Sequence, residues 1–401
     1  MAENPKQPRE YDAVLGGEVS AAADSAVLGG LEGVKHQLAS AVVYQKVAAL
    51  YQAIKYGTAG LDLVIQALED KSEQVQQAAE NLLLQKRSEP RVKQALQNHK
   101  PYLLFECLYT LSGHRPGMCA IAISPDGQTF ASCSGAYVIK LWNLHTGELL
   151  RTLEESSGSV ACSYCSVAFS PDGQKLAATV EDGTIKLWDL HTEELLGKLG
   201  EAGDGSDIIT CVAFSADGQT LVSGSWKHTI NVWNLRTGEV RSNLPGDRGT
   251  IMSLAISPSH QYFATTCGTI ELWDLTTVER LSQYCVSRGF HSLAFSPDGQ
   301  ILAAGGGDST ISLWHQGTGE LLHNLAGHSE EVRSLAFSLD GQFLASSGLD
   351  NTINLWDLGT GTLLCALNGH SDSVFQIAIS PDGQTLVSGS RDHTIKVWGI
   401  R

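Results

Sequence analysis

Histidine and cysteine are the side chains best equipped to hold metals, move protons or attack electrophiles, and here neither set is spaced for that work. The 401 residues include thirteen histidines and nine cysteines. A zinc hydrolase would show HExxH on one helical face, a phosphate cradle would show a Walker loop, and a serine hydrolase would show GxSxG. None of these is present, nor is a paired CxxC zinc signature. The single CxxC, Cys162 to Cys165, lies in SSGSVACSYCS. Metal binding there would need two more soft ligands, and redox chemistry would need a helix N-terminus to lower a thiol pKa. Neither is visible, so the pair reads as two unassociated thiols. Among the histidines, His114, His328 and His370 follow glycine, while His145 and His191 sit at turn positions.

The elements that must carry these residues are set by tryptophan. Trp142, Trp188, Trp233, Trp273, Trp314, Trp356 and Trp398 recur at intervals of 46, 45, 40, 41, 42 and 42 residues. A self-similarity of that length marks one structural unit in seven copies. Residues 332–367 show the unit: VRSLAFS, LDGQ, FLASSGLD, NT, INLWDLGTG and LLCAL. Apolar runs of five to seven residues bounded by Asp-Gly, Gly or Asn-Thr are short strands joined by tight turns. Each unit is thus a four-stranded antiparallel sheet. PDGQ recurs at Pro125, Pro171, Pro297 and Pro381, with Pro fixing φ and Gly supplying positive φ. Such sheets must stack, and only a closed ring leaves no terminal face exposed.

The GH, PDG, SGS, D, TI and LWD elements, in this order and spacing, resemble the WD-repeat β-propeller family over Leu111 to Arg401, in a form similar to its prokaryotic members. The resemblance implies a seven-bladed, mainly β ring. It also implies a hydrogen-bonded line of His, Ser or Thr, Asp and Trp across each blade. In repeat 6 these would be His328, Asp350 and Trp356, and in repeat 7 His370, Asp392 and Trp398, with a serine from Ser346/Ser347 or Ser388/Ser390 between. The role of this line is structural, because such groups are costly to bury unless they satisfy one another. Repeats 1, 3 and 4 have Ala136, Lys227 and Cys267 where the aspartate would stand, and repeats 2 to 5 lack the GH pair.

The last repeat stops three residues after Trp398, one strand short. The missing strand is found at the other end of the array, where FECLYTLSGH, Phe105 to His114, aligns with LLCALNGH, Leu363 to His370. The alignment predicts that residues around Glu106 to Leu111 complete the seventh blade beside the Trp398 strand.

Ahead of the repeats the period changes to that of a helix. Leu61, Val64, Ile65 and Leu68 share one face, as do Val75, Ala78, Ala79, Leu82 and Leu83, with a helix start at Asp70 to Ser72. Gly60 to Gln85 resembles a HEAT repeat, and Val43 to Gly57 resembles the second helix of a preceding one. The domains are therefore expected at residues 1–30 (flexible), 31–104 (HEAT-like helices) and 105–401 (propeller).

Composition narrows the partners. Of the net charge of −16, nearly all falls on the repeats: residues 1–105 carry 11 Lys/Arg against 12 Asp/Glu. That surface repels nucleic acid and anionic membrane. No apolar run reaches 18 residues and no signal-type h-region opens the chain. With an odd number of cysteines set in apolar runs, a soluble, cytoplasmic protein with reduced thiols is expected.

Function is then sought where the repeat pattern breaks. By the geometry of the family, the segments replacing the GH pairs lie on one rim with the turns bearing Trp226 and Arg391. One column, four residues before the last apolar residue of each innermost strand, holds Cys119, Cys165, Thr210, Met252, His291, Arg333 and Phe375. Met252, His291, Arg333 and Phe375, with Trp226 and Arg391, give the aromatic and arginine composition of interface hot spots. A purely structural alternative makes Trp226 an apolar cover over a degenerate blade. The expected function is a non-catalytic scaffold for one or more proteins, with no cofactor and no metal. Two alternatives are an assembly or maturation factor for a larger complex, and an enzyme or small-molecule or metal site in the central channel. The last requires three or more convergent Asp, Glu or His.

Overall fold

The computed structural model describes residues 30–112, 114, 120–134, 138–153, 166–180, 182–200, 207–245, 249–259, 261–266, 269–284 and 289–400. The chain divides into two compact units, at His99 and Lys100. Residues 1–29, the column positions Cys119 and Cys165, the Cys162–Cys165 pair, Ala136 and Cys267 lie outside the described residues.

The first unit contains helices α1 Gly30–Leu38, α2 Val43–Ala53, α3 Gly57–Gln66, α4 Glu73–Leu84 and α5 Pro90–His99. Val64, Val75, Ala79 and Leu83 are fully buried, as their 3.6-residue period requires, and Leu61 and Leu68 nearly so. Ser72 occupies the N-cap of α4 but makes no side-chain capping bond. Asp70 orders this turn instead: its carboxylate accepts the Ser72 N–H at 2.9 Å and the Lys46 ammonium at 2.7 Å, tying α2 to the α3–α4 corner. The Lys46 hydrogen bond holds the Asp70 carboxyl below its usual range. His99 Nε2 meets buried Glu80 at 2.8 Å, which joins α5 to α4.

The second unit opens with a 3-10 turn, Pro101–Leu104, whose Tyr102 packs on Phe343 with ring centroids 4.7 Å apart. This turn, expected with the helices, therefore belongs with the sheets. Seven four-stranded antiparallel sheets follow among the described residues. Their innermost strands are Ala120–Ile123, Val167–Phe169, Ile209–Phe214, Leu254–Ile256, Phe290–Phe295, Val332–Phe337 and Val374–Ile379. Each contacts the next, and that of blade 7 contacts that of blade 1, so the ring is closed. Blade 7 is built from both ends of the array: Glu106–Leu111 pairs antiparallel with Ile395–Gly399, Leu111 opposite Ile395 and Cys107 opposite Trp398.

The core lies between blades. Trp188 packs with Ala131, Ile139 and Leu141 of blade 1, Trp273 with Val222 and Val232 of blade 3, and Trp142 with Val387 and Val397 of blade 7. Each ladder tryptophan in these clusters is thus a wedge against the preceding blade, which is why its spacing equals the blade repeat. Close to the axis, serine hydroxyls stitch blades together. Ser253 accepts Leu293 N–H (3.1 Å), Ser292 accepts Leu335 N–H (3.0 Å) and Ser334 accepts Ile377 N–H (3.2 Å).

Candidate functional site: the rim around the inner strands

Blades 6 and 7 carry the complete polar line. His328 Nδ1 lies 2.9 Å from Asp350 Oδ2 and its Nε2 2.7 Å from Ser346 Oγ, which also accepts the Trp356 indole N–H at 2.8 Å. His370, Asp392, Ser388 and Trp398 repeat this at 2.8 Å throughout. The serines are therefore Ser346 and Ser388. Burial alone would raise the Asp392 carboxyl, but hydrogen bonds from Thr394, His370 and two backbone N–H groups pull it well below the usual range. Burial lowers His370. The glycine of the GH pair is steric: a Cβ on Gly327 would stand 2.7 Å from the Trp356 ring.

The other blades degrade this line in different ways. Blade 1 keeps His114 and Trp142 on Ser132, at 2.6 and 2.7 Å. Blade 3 rebuilds it in reverse: Asp207, from the segment entering the inner strand, accepts the Lys227 N–H (3.0 Å) and Thr229 hydroxyl (3.2 Å) of the hairpin that would normally supply the aspartate. In blade 2, Ala178 stands ten residues before the tryptophan, where blades 1, 3, 6 and 7 place serine, and the buried Trp188 Nε1 has no partner among the described residues. Ala178→Ser is expected to supply that acceptor and stabilise the protein by about 1 kcal/mol. Thermal melting of parent and variant checks this, and an unchanged or lower midpoint would contradict it.

These networks hold up the rim. Trp226 donates its backbone N–H to Ile208 O (2.8 Å), Gly307 to Gly289 O (2.9 Å), Leu349 to Glu331 O (3.0 Å) and Arg391 to Ser373 O (2.9 Å). Each acceptor lies two residues before a column residue, so hairpin turns and column share one rim. Thr210, His291, Arg333 and Phe375 are each the unpaired residue of a β-bulge in the innermost strand. Bulges of this kind re-aim a side chain out of the pleat. The sequence gives no sign of them.

Not every column residue faces outward. Thr210 is buried, its hydroxyl donating to the Ile251 carbonyl of blade 4 and to Gly224 O at 3.1 Å. Met252, His291, Arg333 and Phe375 remain half-buried on the consecutive blades 4 to 7, while Arg391 is exposed. Trp226 is 42% exposed. Its hairpin has polar support from Asp207.

Glu331, absent from the sequence-based set, joins two of its members. Its Oε2 lies 2.6 Å from Arg333 Nη2 and 3.3 Å from His291 Nε2. Burial lowers the His291 pKa and Arg333 adds to this, while Glu331 opposes both. At neutral pH the imidazole is uncharged, and the cluster is one matched pair. His291 Nδ1 and Arg333 Nε are buried with no hydrogen-bond partner among the described residues. The cluster brings together one His and one Glu, and no group of three His, Cys, Asp or Glu that could hold a metal occurs among the described residues. Burial pushes the Cys211 and Cys365 thiols each up to about 12.

The repeat geometry agrees with a known family. The profile of the WD domain, G-beta repeat, matches residues 105–143, 147–189, 195–234, 238–274, 282–315, 319–357 and 361–399. The chain belongs to the WD-repeat family. Curated relatives match over about one repeat. A 42-residue stretch is 48% identical to "Probable serine/threonine-protein kinase PkwA" of Thermomonospora curvata, covering 10% of this chain and 6% of that protein. A 52-residue stretch is 38% identical to "Protein Mut11" of Chlamydomonas reinhardtii, covering 13% and 14%. This WD-repeat chain thus spans only a small fraction of either relative. No described helix is long and apolar enough to cross a membrane.

Proposed function

We propose that this WD-repeat protein is a non-catalytic scaffold that docks a partner protein on the rim carrying Trp226, Met252, His291, Arg333, Phe375 and Arg391. The observation that carries this reading is the row of bulges, which presents His291, Arg333 and Phe375 from three adjacent inner strands. A closed ring of sheets fixes the backbone that bears these side chains before a partner arrives, so the ordering cost of docking is confined to side chains. Tryptophan and arginine supply the residue types that dominate interface energies. The first unit is read with it as HEAT-like: α3 and α4 bury the apolar faces of consecutive short helices against each other and against α2.

The test places a photocrosslinking phenylalanine analogue at Phe375 in the full chain within its native cells. A discrete adduct is expected, reduced at least tenfold by Arg333→Ala and absent when the analogue stands at Leu281, on an outer strand. Equal adducts from both positions, or none from Phe375, would overturn the reading.

A further inference from the structure

The chemistry of the partner at this rim follows from one hydrogen bond that is missing. A guanidinium presents Nε–H and one terminal N–H as two parallel prongs on the same edge. In Arg333 these are Nε and Nη2. The Nη2 prong is filled by Glu331 Oε2 at 2.6 Å, whereas Nε is buried with no acceptor among the described residues. The same Oε2 lies 3.3 Å from His291 Nε2, so one carboxylate oxygen is shared between Arg333 and His291. One prong of the fork is therefore not used within the described residues, beside a carboxylate that is already matched.

Resting on the docking function above, we infer that the rim takes an uncharged, extended peptide segment of its partner, whose carbonyl oxygen completes the Arg333 fork at Nε. Charge selects against the alternatives. An incoming carboxylate at Nε would lie against the Glu331 carboxylate, on a chain whose net charge is −16. An incoming ammonium would face the Arg333 charge and find Glu331 already neutralised. A main-chain or carboxamide carbonyl meets neither penalty. Half-buried Phe375 and Met252, on the blades flanking the His291–Glu331–Arg333 cluster, offer apolar surface to its neighbouring side chains. Since Nε is covered in the free protein, docking includes a side-chain rearrangement, so the readout must sit on Arg333 itself.

The test titrates three capped tripeptides into the full chain: Ac-Leu-Gln-Leu-NH2 and its analogues with Glu or Lys at the centre. The reporter is the Nε–H resonance of Arg333, assigned by its loss in Arg333→Lys. The Gln peptide is expected to shift this resonance and to saturate at a concentration at least tenfold below the other two. Arg333→Lys keeps the charge but removes the fork, and should abolish the preference when Phe375 resonances are followed instead. Saturation by the Glu or Lys peptide at equal or lower concentration, or no movement with any of the three, overturns the inference. If crosslinking at Phe375 persists in that case, docking stands and only its chemistry falls; if crosslinking is also absent, both fall.

Discussion

A chain beginning at residue 113 is expected to melt roughly 10 to 20 °C below one beginning at Lys100. The difference is the Glu106–Leu111 strand and the turn before it. Removing the strand strips five paired residues from Ile395–Gly399 and leaves that strand an open edge. The Tyr109 hydroxyl bond to His145 O (2.7 Å) and the Lys396 bond to Thr110 (2.9 Å) also go. At about 1 kcal/mol per lost hydrogen bond, the sum is on the order of 5 kcal/mol. That is a large share of the roughly 5–15 kcal/mol that stabilises a domain. Part of the loss belongs to Tyr102 on Phe343, and Tyr102→Ala in the full chain measures that part separately. Coincident melting of the two truncated chains would show that the seventh blade does not depend on this strand.

That strand was legible because it is a displaced copy of a repeat, and most of the fold was legible for the same reason. Seven copies fix the blade boundaries, since every tryptophan must wedge against the blade before it. Within a blade the alternation of strand residues also restricts the choice of serine: Ser346 lies on the Trp356 face and Ser347 on the other. What could not be read depends on neighbours in the ring rather than along the chain. Glu331 stands in a connecting loop, and its importance comes from His291, forty residues earlier on another blade. Thr210 occupies the same column as Arg333, yet it turns to the Ile251 carbonyl because a short hydroxyl can reach it. Asp207 is invisible to a search for the usual aspartate, since it reaches the hairpin from the opposite side. The bulges leave no mark at all, being a property of strand pairing.

Acid should expose what the polar lines contribute, and His114 sets the window. The residue is half-buried, with its ring bonded to Ser132. Burial, reinforced by Lys140, lowers its pKa from 6.5 to about 4. The unfolded chain therefore binds this proton first as pH falls. The stability is fully present above pH 6.5, declines as pH drops toward 4, and does not change further below, where both states are protonated. A shift of this size corresponds to about 3 kcal/mol. His114→Gln removes the titration while leaving an amide that can still bond Ser132, so the fall in melting temperature between pH 7 and pH 4 should shrink by roughly 6 to 12 °C. The slope, rather than the midpoint, is the measurement, because the variant starts from a lower stability. His370, also lowered by burial, keeps a residual slope in the same range. Asp392 acts separately: its carboxyl is held below its unfolded value of 3.8, so its contribution is present above that pH and is lost only in stronger acid. Parallel melting curves for parent and variant between pH 7 and pH 4 would mean that His114 takes up its proton as readily in the folded ring as in the unfolded chain, and that burial does not keep blade 1 neutral.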